Sequence, residues 1–170
     1  MRVRLATLCL LLAPFLTQCT GSGIGSGLSN LFGGALGGGA PAQGVSTNTN
    51  DAKAAAALVS QYRTSKGLSP VVADATLNRA AEVQARAVAQ ADSLSHGQFA
   101  SRMESFGIKG YSAENLVAGS KTVEQAITRW KNSPGHNQNL LMPQATRIGL
   151  ARAASPGAGY EHYWAMVLAQ

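Results

Sequence analysis

Cysteine is almost missing from this chain. There are two among 170 residues, Cys9 and Cys19, so the region beyond residue 19 folds without a disulfide. Aromatic residues are few: four Phe, four Tyr and two Trp. Histidine occurs only at His96, His136 and His162, which leaves few places for imidazole chemistry. The charge is modest, with 14 basic against 8 acidic residues and a formal net of +6. Two of the basic residues, Arg2 and Arg4, stand at the extreme N-terminus, and without them the balance is 12 against 8. No Lys or Arg run is long enough to line a nucleic-acid groove, and the two signs alternate, so nucleic acid is not an expected partner. No apolar segment reaches the roughly 20 residues that a membrane-crossing helix needs. No Ser or Cys sits in a local nucleophile motif.

What is there begins with an export pattern. Met1-Arg2-Val3-Arg4 is a short positive start, and Leu5 to Leu16 is an apolar run broken only by Thr7 and Pro14. Its charge, length and position fit residues 1–18 as a signal peptide better than a buried first helix. Cys9 would leave with that segment and Cys19 would remain alone. Leu16-Thr17-Gln18-Cys19 resembles a bacterial lipoprotein cleavage box, with Gln18 where a small residue is usual. The expectation is that Cys19 becomes the acylated first residue, since an unpaired exported thiol otherwise needs explaining. Residues 19–50 then read as a tether rich in Gly, Ser, Ala, Asn and Thr, too poor in apolar surface to offset chain entropy. As a flexible coil it would reach on the order of 30 Å. Ile24, Leu28, Leu31, Phe32 and Leu36 recur at helical spacing within it, but the glycines among them weigh against a stable helix.

A folded domain is expected over residues 51–170. Asp51 is positioned to cap a helix from Ala52 to about Lys66, stopped by Gly67, with Leu58 and Tyr62 as an apolar stripe. Asp74 would cap a second helix from Ala75 to Ala91, whose buried face is Leu77, Ala80, Ala81, Ala85 and Val88. A short helix is expected from Phe99 to Phe106. Thr122 and Gln125 form a capping box before Val123, Ala126, Ile127 and Trp130, which share one helix face and make Trp130 a core residue. Ser133-Pro134-Gly135 turns the chain, and His136 to Leu141 adds a helical turn. Strands are predicted at Ala113–Ala118, Arg147–Ala153 and Tyr160–Ala169. The last is apolar on both alternating faces, which fits a central strand covered on each side. The fold class is therefore α+β, a three-layer α-β-α sandwich with a small antiparallel sheet and helices on both faces.

His96 lies past the second helix, Glu114 in a polar break on a strand and His136 at a turn. No single element joins them, so their spacing alone assigns no site. Together with their neighbours they carry a resemblance. Ser95-His96, Ala113-Glu114-Asn115, the run Trp130-Lys131-Asn132-Ser133-Pro134-Gly135-His136-Asn137-Gln138-Asn139-Leu140-Leu141, Ile148-Gly149 and Tyr163-Trp164 occur in order. This set resembles the bacterial branch of the CAP superfamily, the cysteine-rich secretory, antigen 5 and pathogenesis-related family, also called the SCP domain. The resemblance covers nearly all of residues 51–170 and implies the same α-β-α sandwich.

It also implies a central cavity in which His96, Glu114 and His136 match three positions. Many members carry a second Glu where this chain has Ser133, and a glycine where it has Ala113. Two imidazoles and a carboxylate are the minimal donors for an open zinc-type site. Alternatively, Glu114 and His96 form a hydrogen-bonded pair without metal. Three functions follow as expectations. The first is an envelope-anchored binding module that takes a small ligand, lipid or protein in the His/Glu cleft. The second is a metal-assisted, peptidase-like hydrolase with Glu114 as base. The third is a lipid or sterol carrier. Lipidated Cys19 would join the protein to the membrane in each case. His162 matches no cavity position, and Asn115 and Asn139 are expected to satisfy buried backbone groups.

Overall fold

A computed structural model describes residues 44–170. The signal segment, Cys19 and the spaced apolar residues Ile24 to Leu36 lie outside that range. Ten elements run in the order β1 (Ser46–Asn48), α1 (Ala52–Thr64), β2 (Val72–Ala73), α2 (Ala75–Ala91), α3 (Phe99–Ser105), β3 (Ser112–Ala118), α4 (Val123–Lys131), α5 (Pro134–Leu140), β4 (Arg147–Ala154) and β5 (His162–Ala169). Four strands are ordered β1-β4-β5-β3, and β2 pairs in parallel with β4. The long pairs are antiparallel, with Gly149 opposite Val167 and Glu114 opposite Val167 from the other side. β5 is thus central, as its two apolar faces predicted, and β3 is an edge strand.

The two faces of the sheet carry separate cores. Ile148, Leu150, Trp164, Met166, Leu168 and Val117 meet α1, α4 and α5 on one side. Ala151, Ala153, Tyr163, Ala165, Val167, Leu116 and Ala118 meet α2 and Met103 of α3 on the other. Alternate residues of each strand go to alternate cores, as the pleat requires. On the second face small residues oppose small residues: Ala80, Ala81 and Ala85 lie over Ala151, Ala153 and Ala165. This lets α2 approach the sheet closely. The three-layer α-β-α expectation holds.

Helix ends explain themselves locally. Asp74 Oδ1 accepts the Leu77 N–H at 2.8 Å, the expected cap of α2. Thr122 Oγ1 accepts the Gln125 N–H at 3.4 Å, while Gln125 Oε1 accepts from Lys121 N at 2.9 Å, one residue before the cap itself. Asp51 differs from expectation. Its side chain makes no cap bond; instead the backbone closes the turn, with Ala52 N–H donating to Thr49 O at 3.0 Å. α1 also ends at Thr64, two residues early, because Leu68 N–H folds back onto Arg63 O through a left-handed Gly67. Its buried stripe is Ala52, Ala55, Ala56, Val59 and Arg63, with Leu58 and Tyr62 packed beside it rather than forming it.

Two strands escaped the sequence pattern. Ser46–Asn48, placed in the tether above, pairs with Arg152–Ala154, so the sheet takes in residues before 51. β2 has only two residues. Neither segment is long or apolar enough to show alternation.

Candidate functional site

The free edge of β3 is where the sequence-predicted residues gather. Going along this strand, side chains alternate between the two cores, so Glu114 faces α2 and α3 while Asn115 faces α5. Edge carbonyls of β3 have no neighbouring strand to pair with, and an open edge invites unwanted pairing. Three side chains close it instead. Asn139 Nδ2 donates to Glu114 O at 3.1 Å, Trp130 Nε1 to Leu116 O at 3.1 Å and Arg129 Nη1 to Ala118 O at 2.6 Å. Asn139 also donates to Asn115 Oδ1 at 2.9 Å, and Asn115 Nδ2 donates to His136 O at 3.0 Å. The two asparagines therefore satisfy buried polar groups, as expected. They tie α5, and with it His136, to the strand that carries Glu114.

Glu114 is 4% exposed. Its Oε1 takes the His96 Nδ1–H at 2.9 Å, and its Oε2 takes Arg102 Nη2. The carboxylate is thus engaged on both oxygens. Burial pushes its pKa up, and the bonds to His96 and Arg102 pull against that shift. Arg102 stands on α3 and also donates to Gln84 Oε1 on α2. Gln84 in turn donates to Ser95 O, which fixes the loop that presents His96. His96 itself remains well exposed, with 57% of its side chain accessible.

His136 sits apart from this group. Its Nδ1 shares a hydrogen bond of 3.0 Å with the hydroxyl of Ser133. Partial burial lowers its pKa, and the charge of His96 lowers it further, so neutral imidazole is favoured at neutral pH. It lines a pocket of about 270 Å³ with Leu94, Leu116, Val117, Arg129, Trp130 and Ser133. The structure joins His96 to Glu114 directly, while His136 bonds to neither.

Among the described residues, no three His, Cys, Asp or Glu side chains are grouped to hold a metal ion. Glu114 already shares its charge with a guanidinium and an imidazole, so a divalent ion there would compete with Arg102 for the carboxylate. His162 lies elsewhere. It begins β5, five residues before the Val167 that pairs with Glu114, which is about 17 Å along a strand. It stays half-buried with Nδ1 unpartnered.

Arg102 and Gln84 were not found by reading the sequence. Gln84 did carry a signal: it is a polar residue inside the buried stripe of α2, four after Ala80 and one before Ala85. Arg102 had none, because a seven-residue helix offers too little period to assign a face.

The profile of the family described as "Cysteine-rich secretory protein family" matches residues 56–168. An uncharacterized protein of Bacillus subtilis, YkwD, is 32% identical over 131 residues, covering 68% of this chain and 51% of its own length. The chain therefore spans about half of that relative. Among solved structures, an outer surface protein of Borrelia burgdorferi superposes with a TM-score of 0.64 at 19% identity, covering 72% of this chain and 95% of the other. An extracellular protein containing a SCP domain from Bacillus anthracis gives 0.61 at 20% identity, covering 71% of this chain and 40% of that one. A cysteine-rich secretory protein of Staphylococcus aureus gives 0.56 at 18% identity, covering 72% and 39%. At these identities the structural likenesses speak for the fold.

Proposed function

This chain belongs to the cysteine-rich secretory protein family, and from that premise we propose that it is an exported, envelope-anchored binding module whose ligand seats in the cleft beside β3. The observation that carries this reading is the state of Glu114. A general base or metal ligand must reach its target with an open lone pair, and every donor already bonded to the carboxylate lowers its basicity. Here one oxygen holds His96 and the other holds Arg102, which suits a structural anchor under a binding surface better than a hydrolytic centre. The adjoining pocket of about 270 Å³ is slightly smaller than the roughly 300–1,000 Å³ of drug-sized sites. It suits a small molecule or a single side chain of a partner better than a sterol.

The cleft is tested by exposing the full chain to a small-molecule fragment library and following resonances by NMR. Hits are expected to move Leu94, His96 and His136 together, and His136→Ala should abolish those shifts without unfolding the protein. The same protein incubated with mixed peptides should show no cleavage above the His136→Ala background. Fragments that bind only elsewhere, or cleavage lost in Glu114→Gln, would refute the binding-module reading.

Export and anchoring rest on the first 19 residues. The charged start, the short apolar run and the Leu16–Cys19 box together support cleavage before Cys19 and acylation of its thiol. Two structural neighbours, an outer surface protein and an extracellular protein, agree with an envelope location. Each buried CH₂ of an acyl chain contributes about 0.8 kcal/mol, so several chains hold firmly. Intact-mass analysis of membrane-extracted protein should find a diacyl or triacyl adduct on Cys19, and Cys19→Ser should remove it. An unmodified Cys19, or cleavage at another position, would end this part of the proposal.

A further inference from the structure

We infer that Arg102 is the resident cation of the cleft: its guanidinium occupies the Glu114 carboxylate that a divalent metal would have to share, so the site operates as a metal-free Glu114–Arg102 ion pair with His96 hydrogen-bonded to it. This rests on the same cleft as the binding-module reading and assigns its charged half. Glu114 is the only carboxylate among the three site residues, and a cation bound there has to compete for it. The competitor is already installed. Arg102 Nη2 donates to Glu114 Oε2, and the two side chains are 10% and 1% exposed.

The guanidinium is held from other directions as well. Nη1 donates to Gln84 Oε1, and the same nitrogen lies 3.4 Å from His96 O. The Phe99 ring lies 5.5 Å from its central carbon, within cation–π range. Gln84 is itself 4% exposed and bonded onward to Ser95 O, so Arg102 cannot swing away without unpairing a buried amide. Its Nε remains buried with no partner.

Ser133 points the same way. A hydroxyl there bonds His136 at 3.0 Å and brings no second negative charge to the cleft. With one carboxylate neutralised by one guanidinium and no other acid in the group, a divalent ion would find no net negative charge to hold it. Arg102 thereby acts as a positioning residue: it fixes the Glu114 carboxylate, which fixes His96.

The test is a titration of the full chain with Co²⁺, read by visible absorption, and with Zn²⁺, read by calorimetry. Wild type is expected to bind either ion no more tightly than Glu114→Gln. Arg102→Met keeps most of the side-chain volume and removes the charge. It should gain metal affinity by at least about 10-fold, the lower end of what groups around a metal site ordinarily control. The double variant Arg102→Met/Glu114→Gln should lose that gain. Wild-type binding that depends on Glu114 would overturn the inference, as would a folded Arg102→Met protein with no gain. If circular dichroism shows Arg102→Met unfolded, the comparison of wild type with Glu114→Gln decides alone. Fragment binding at His136 is a separate readout, so the cleft can survive the loss of this role for Arg102.

Discussion

Replacing Gly149 with alanine is expected to destabilise the domain more than the same change at any other described glycine. Gly149 lies on β4, on the face covered by α2. A Cβ there would stand 2.1 Å from the Leu77 carbonyl carbon and 2.4 Å from both Leu77 O and Asn78 N. These are backbone atoms of a helix, so no side chain can rotate out of the way. The helix is also fastened at that point. Leu150 N–H donates to Asn78 Oδ1 at 3.0 Å, and Asp74 N–H donates to Ile148 O at 2.9 Å. Ordinary overpacking costs about 1–3 kcal/mol because side chains share the adjustment. Here a 17-residue helix must lift from Ala151, Ala153 and Ala165, and the loss should exceed about 3 kcal/mol, a large part of a typical total of 5–15 kcal/mol. Urea unfolding of Gly149→Ala beside Gly135→Ala checks this, since nothing lies within 4 Å of a Cβ at Gly135. Equal midpoints for Gly149→Ala and wild type would show that α2 does not approach the sheet this closely.

That close approach was partly legible in the sequence. The alanines of α2 recur at helical spacing and announce a tightly packed helix, and the doubly apolar run ending at Ala169 announces a central strand. Such long, periodic segments carry their own evidence. Short ones do not: Ser46–Asn48 and Val72–Ala73 become strands only because β4 offers an edge to pair with, at Arg152–Ala154 for the first and Arg147–Ile148 for the second. Arg63 is a further case. By sequence it is one more polar residue near the end of a helix, yet it is fully buried and donates to four carbonyls, Ser69 O, Leu140 O, Met142 O and Ala145 O, at 2.8–3.0 Å. Those acceptors are up to 82 residues away, and no local pattern encodes them. Burial without a carboxylate partner lowers its pKa, and the carbonyls supply the compensation.

The site shows the same division. His96, Glu114 and His136 were found through the resemblance, since each stands alone in its local sequence. Arg102, which bonds Glu114 and changes what the cleft can hold, was not. The spacing within Trp130–Leu141 now has a physical account. Trp130 and Asn139 stand on successive helices and donate to carbonyls of alternate β3 residues, Leu116 and Glu114. Alternate carbonyls of an edge strand point the same way, so two helices joined by the Ser133–Gly135 turn can reach both.

Trp130→Ala should therefore weaken the fold and the cleft together. The ring is fully buried in the core shared by α1, α4 and the sheet, and truncating such a residue costs about 3–5 kcal/mol through lost burial and the cavity left behind. Trp130→Phe separates the two contributions of the side chain. It keeps most of the apolar volume but strands Leu116 O, whose partner at 3.1 Å was the indole N–H. An unsatisfied buried acceptor costs about 1–3 kcal/mol, so the Phe variant should fall between wild type and Ala in denaturant midpoint. The functional readout follows from position. Trp130 lines the same pocket as His136, and Leu116 is two residues from Glu114 on one face of β3. Loss of the bond should loosen the strand edge beneath Glu114, and NMR should record broadened His96 and His136 ring resonances in Trp130→Ala under conditions where the protein is still folded. If the Ala variant loses less than about 1 kcal/mol, far below the range for a buried tryptophan, or if the two imidazoles are unmoved, then Trp130 fills space without holding the site.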